Sequence, residues 1–172
     1  MHRFLKTRSA AIGVCLALFL ATADAVASAG PATPPAARFD FSVTTSAALT
    51  ARAWDALAAR DFEAVVAYTG KCRDLFEAEA RRQQAALTAI IPASEREKIF
   101  SLSALNDVAV CYLIAAQGRE LLGDTPAAIG LYQALSERFS YAQCWDTKGW
   151  FWRPAAEGRA RLFHLEFEAA SR

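Results

Sequence analysis

Imidazole and thiol groups are scarce in this chain. Its 172 residues hold 2 histidines, 4 cysteines and a single methionine, the initiator. His2 and Cys15 fall in the N-terminal leader discussed below, which leaves His164, Cys72, Cys111 and Cys144. No pair is spaced C-x-x-C, and one histidine without clustered thiolates or carboxylates does not make a zinc site. No metal or cofactor is expected. Three cysteines allow one intramolecular disulfide at most, so stability must come mainly from apolar packing. Cys72 and Cys111 fall on or beside apolar stripes and read as small buried hydrophobes. A nucleophilic Cys144 would need His164 beside it as base, and nothing in the sequence places them together.

An excess of one charge is also missing. Lys and Arg number 19 against 18 Asp and Glu, so the basic footprint of a nucleic-acid binder is absent. Glycine is sparse, 8 residues, and forms no phosphate-binding loop. Long apolar runs are limited to one, Ala10 to Ala21. It follows Arg3, Lys6 and Arg8, is interrupted by Asp24, and ends at Ala27-Ser28-Ala29. That is the layout of a secretory signal peptide rather than a membrane span. Cleavage after Ala29 is expected. Losing Arg3, Lys6, Arg8 and Asp24 would leave 16 basic against 17 acidic residues. The expected location is the periplasm or the exterior, with no mature transmembrane segment.

Three domains of behaviour follow along the chain. Residues 1–29 are the signal peptide. Residues 30–44 are a Pro/Ala-rich linker, with Pro31, Pro34 and Pro35, and an extended arm. Residues 45–172 carry three- and four-residue apolar spacing almost throughout, which predicts helices and no sheet. The first helix runs from Ser46 to Ala59. A long second one starts at Phe62 and runs to Ile90, with Gly70 read as a close crossing. Pro92 ends it. Ser94 and Glu97 have capping-box spacing, and one continuous third helix is expected from Glu95 to Leu122. Gly123-Asp124 turns the chain, with Thr125 as N-cap and Pro126 in the first turn. A fourth helix reaches Phe139. An irregular aromatic segment, Tyr141 to Trp152, precedes a last helix from Pro154 to Ala170.

Such helices form either a bundle or a short solenoid of stacked pairs. Ala109 to Ala142 spans one 34-residue period and resembles a tetratricopeptide repeat, with Ala116, the Gly123-Asp124 turn, Ala128, Tyr132 and Leu135 in the small, turn, aromatic and apolar places. Ala64 and Tyr68 echo Ala128 and Tyr132, 64 residues earlier. Arg119 and Ser140 depart from the pattern. The resemblance implies an all-α fold of antiparallel helical pairs, a short right-handed α-solenoid closed by a C-terminal capping helix. The stretches Ala104-Leu-Asn-Asp-Val-Ala109 and Tyr141 to Trp152 are similar to a small family of exported bacterial repeat proteins often labelled "beta-glucanase precursor", over roughly Phe62 to Ala156.

No glucanase activity is carried over. Glycoside hydrolysis usually needs two carboxylates across a cleft. Glu77 and Glu79, two apart on a helix, do not share a face. Asp107 and Asp146 meet only if the aromatic segment folds back on the third helix. The expectation is a non-enzymatic scaffold binding an envelope protein or peptide. The alternative is a carbohydrate-binding accessory that uses the tryptophans on a glucan-type polysaccharide. Asn106, Asp107, Tyr112, Trp145, Asp146, Lys148, Trp150 and Trp152 are the candidate binding residues. Asn106, mid-helix on an apolar stripe, must be hydrogen-bonded if buried and reads first as a tie to a neighbouring loop. The rings of Trp145, Trp150, Phe151 and Trp152 are expected mainly to cap the helical stack, meeting Phe163 and Phe167 of the last helix.

Overall fold

Thr45 opens the folded part, its side chain accepting from the Ala48 N–H and starting α1 (Ser46–Ala58). The computed structural model describes residues 38–171. The leader, its cleavage site and the linker up to residue 37 lie outside the described residues. Five further helices follow: α2 (Phe62–Ala85), α3 (Arg96–Ser101), α4 (Ser103–Leu121), α5 (Thr125–Arg138) and α6 (Pro154–Ala170). Among the described residues the fold is all-α, six packed helices, with one correction to the expectation of no sheet. Cys144–Asp146 (β1) and Trp150–Trp152 (β2) pair as an antiparallel hairpin.

Two turns between helices are built alike. After α1, Arg60 takes a left-handed φ of 56°, and the Asp61 N–H reaches the Ala56 carbonyl at 2.9 Å. After α4, Gly123 takes φ 75°, and the Asp124 N–H reaches the Arg119 carbonyl at 2.9 Å. Both are Schellman endings. In each case an aspartate then caps the next helix, Asp61 on the Ala64 N–H and Asp124 on the Ala127 N–H. The N-cap of α5 is thus Asp124 rather than Thr125. These matched turns set a 63-residue register. Val65, Thr69 and Cys72 are buried on α2 as Ala128, Tyr132 and Leu135 are on α5. Tyr68 is not the counterpart of Tyr132. It faces the arm, where Phe39 and Phe41 meet its ring edge-on at 6.0 and 5.5 Å.

Helix α4 is the centre of the packing. Twelve of its 19 residues are buried, and it touches α1, α2, α5 and α6. Ser46 and Thr50 of α1 face Asp107 and Cys111, so α1 and α4 run in the same direction. Gln83 and Glu77 of α2 bond to Leu105 and Tyr112, so α2 runs against α4. Close approach occurs at Gly118, where a Cβ would lie 3.2 Å from Val65 Cγ1, and at Gly158, where it would lie 2.9 Å from Leu135 Cδ2. Gly70 is not a crossing point, for a Cβ there would meet nothing within 4 Å. Cys72 and Cys111 are both buried in the core, as their spacing suggested. The neighbouring Cys72 thiol and burial hold the Cys111 thiol well above its ordinary pKa.

Two predicted helices were too long. Helix α2 stops at Ala85, before Ile90. The third helix breaks at Leu102 into α3 and α4, and α3 begins after Glu95 with no side-chain cap, so Ser94 and Glu97 form no capping box. Ala128 has no exposed surface. Substituting leucine there should destabilise the fold by about 1–3 kcal/mol through overpacking. Urea melts check it, and an unchanged midpoint would mean the α4–α5 seam has slack.

Candidate functional site

The break at Leu102 starts α4 afresh, and its first two turns direct Ser103, Asn106, Asp107 and Val110 to one side at helical spacing. Thr50 and Trp54 of α1, four residues apart, face them. Phe100 of α3 and Gln143, Cys144, Trp145 and Trp152 of the hairpin region complete the enclosure. Together these residues line a cavity of about 280 Å³.

Hydrogen bonds between distant segments hold this site open and in shape. Asn106 Nδ2 donates to the Ile99 carbonyl at 2.9 Å, and Asn106 Oδ1 accepts from the Gln143 N–H at 2.9 Å. The Gln143 side chain in turn pairs with both the N–H and the carbonyl of Ile91, at 3.0 and 2.9 Å. One amide therefore joins the end of α3 to the hairpin, and the next joins the hairpin to the loop after α2. Gln83 Oε1 accepts from the Leu105 N–H at 2.9 Å, satisfying an amide that the helix break leaves without a carbonyl.

Asp107 is the one charged residue lining the cavity. Its Oδ2 accepts from Ser46 Oγ at 2.6 Å. Burial raises its pKa above the ordinary 3.8, and the Ser46 hydrogen bond opposes that. Cys144 is held protonated, its thiol pushed up by burial and by Asp107. His164 stands exposed on α6 beside Glu168, so no Cys–His pair forms. Among the described residues there is no cluster of three metal-ligating side chains. The pocket holds a single carboxylate.

Of the eight candidates, Asn106, Asp107, Trp145 and Trp152 are brought together here. Tyr112 lies apart. Its hydroxyl donates to Glu77 at 2.9 Å and its ring lies under the Arg73 guanidinium at 4.4 Å. Asp146 and Lys148 belong to the hairpin turn, where Asp146 Oδ1 accepts from the Lys148 N–H at 2.8 Å and Gly149 takes φ 111°. Trp150 does not line the cavity and is 49% exposed. Sequence reasoning missed Trp54, Phe100 and Gln143. The i,i+4 pair Thr50 and Trp54 was the available signal for the first of them.

The capping expectation for the rings is overturned. Pairing of Cys144 with Trp152, Trp145 with Phe151 and Asp146 with Trp150 sends alternate rings to opposite faces. Trp145 and Phe151 pack on each other, centroids 4.9 Å apart, and Phe151 reaches Phe100 at 5.6 Å. Trp152 packs into the core. Phe163 and Phe167 stay 74% and 65% exposed and meet none of these rings. Helix α6 packs on α5, burying Ala155, Gly158 and Leu165. Trp150→Ala should accordingly cost about 1 kcal/mol or less, as surface changes do, rather than the larger cost of a buried ring. A chemical melt checks it, and a loss above about 3 kcal/mol, the range for a buried ring, would restore the cap.

Comparison with family models, with curated proteins and with solved structures finds no match. No helix among the described residues is long and apolar enough to cross a membrane.

Proposed function

We propose that the chain is an exported, non-enzymatic helical scaffold of tetratricopeptide-repeat type that binds a protein or peptide partner in the bacterial envelope. The cavity between α1, α4 and the hairpin carries this reading. It is small, near the lower end of ligand pockets, and suits one side chain of a larger partner. Its single carboxylate lacks the second acid that glycoside hydrolysis needs. The repeat assignment draws support from the two like turns 63 residues apart and from the same-direction packing of α1 and α4. Export draws support from the basic, apolar and small-residue order of residues 1–29.

The test is capture from an envelope fraction by the mature chain, against its Trp54→Ala variant, read by mass spectrometry. A partner retained by the parent and lost by the variant is the expected result. Capture that is identical for both proteins would place the working surface elsewhere. N-terminal analysis of the exported protein should begin at Gly30.

A glucan-type polysaccharide is the second reading. Its support is that Trp54, Trp145 and Trp152 donate no indole N–H to a protein acceptor among the described residues. Retarded migration through a glucan-containing native gel tests it.

A further inference from the structure

We infer that the cavity takes a cationic side chain of a peptide, a lysyl ammonium or an arginyl guanidinium, seated among the rings and against Asp107. The inference rests on the peptide-binding reading above and names the chemistry of the group bound.

The lining carries one carboxylate and no Lys, Arg or His. Asp107 forms no ion pair among the described residues, and its hydrogen-bond partner is a neutral hydroxyl. A partly buried carboxylate without a counter-charge is costly to keep ionised, and a cation brought to it removes that cost. Around it stand Trp54, Phe100, Trp145 and Trp152, and aromatic faces attract cations. The chain already shows this locally. The Arg96 guanidinium rests over the Trp145 ring at 4.1 Å and over Phe100 at 5.8 Å. Arg96 is not part of the lining and does not reach Asp107.

The amides and the threonine of the lining are committed, while Ser103 and the indole N–H groups, which make no protein hydrogen bond among the described residues, are neutral. Asn106 and Gln143 each use a donor and an acceptor on the backbone of Ile99, Ile91 and residue 143 itself. The Thr50 hydroxyl donates to the Ser46 carbonyl at 2.8 Å. Asp107 has accepted one hydrogen bond, and a carboxylate offers about four such positions. The strongest open group in the cavity is therefore an anionic acceptor, which calls for a donor with positive charge.

Titration of the mature protein with Gly-Gly-Lys-Gly-Gly, Gly-Gly-Arg-Gly-Gly and the norleucine isostere, followed by tryptophan fluorescence and calorimetry, tests this. The Lys and Arg peptides should bind saturably, and the norleucine peptide about ten-fold or more weakly. Asp107→Asn keeps an acceptor for Ser46 and removes the charge. It should weaken the Lys peptide by about ten-fold or more while its urea midpoint does not fall. Trp54→Ala, on the outer wall, should weaken the same peptide by several-fold and guards against a folding defect in the first variant. Equal binding of norleucine and lysine, or full binding by a folded Asp107→Asn protein, would overturn the cation and leave peptide binding standing. Binding of a glucan oligosaccharide with no peptide bound would overturn both.

Discussion

Asn106→Leu should lower the free energy of unfolding by about 1–4 kcal/mol. Leucine has the same branched side-chain skeleton as asparagine and is no smaller, so the loss does not come from a cavity. It comes from the buried Gln143 N–H, which loses its acceptor, and from the Ile99 carbonyl, which gives up one of two bonds and keeps the Leu102 N–H at 3.2 Å. An unsatisfied buried group costs about 1–3 kcal/mol, and a single lost hydrogen bond about 0.5–1.5 kcal/mol. Asn106 is 8% exposed, so water cannot easily replace the side chain. Asn106→Asp separates the two contributions, since it keeps an acceptor for Gln143 and loses the donor to Ile99. Urea denaturation of the three proteins measures the effect. Tryptophan fluorescence should change before helix content in the leucine variant, because the hairpin loses its tie first. A leucine variant as stable as the parent would mean that Asn106 does not hold the hairpin.

Phe139→Ala should cost about 3–5 kcal/mol, the range for truncating a fully buried ring. Phe139 ends α5 and has no exposed surface, with its ring centroid 5.2 Å from that of Tyr112. Phe163→Ala and Phe167→Ala are the controls. The same chemical change is made on α6 at rings that are mostly in solvent, and each should stay within about 0.5 kcal/mol of the parent. Because small domains hold about 5–15 kcal/mol in total, the Phe139 variant should approach the limit of folding and the controls should not. Parallel denaturant melts read all three. A mild effect at Phe139 would mean that the end of α5 is loosely packed.

The helices themselves were legible in the sequence because their signals are local. Thr45 and Ser46, the Gly123 turn, Pro126 and Pro154 mark boundaries through backbone chemistry that needs no tertiary partner. Ala128 was legible as a contact because a small residue at helical spacing has few other uses. The break at Leu102 was not. Neither proline nor glycine stands there, and the gap is satisfied by Gln83 from 22 residues away and by Asn106. The hairpin was hidden by its length, since three-residue strands show no period. Gly70 and Gly118 look alike in sequence, and only the packing shows that Gly118 is the close approach. Half of the site followed the same division. Asn106 and Asp107 stood out as polar residues in an apolar helix. Trp54 is drawn into the site by α1 running alongside α4, a relation that no local pattern encodes.

Cys72, Cys111 and Cys144 place native kinetic probes at two depths. Cys72 and Cys111 lie together in the α2–α4 core, both without exposed surface, whereas Cys144 borders the cavity and is partly exposed. A thiol reagent can reach the first two only when the helices part, so their labelling rate measures the opening of the core. Cys144 needs only the hairpin to lift. Its labelling should outrun the other two, and a peptide bound in the cavity should slow it while leaving the core pair nearly unaffected. Mass spectrometry of a timed labelling reaction would thus record occupancy of the site and integrity of the fold separately, in the unmodified protein.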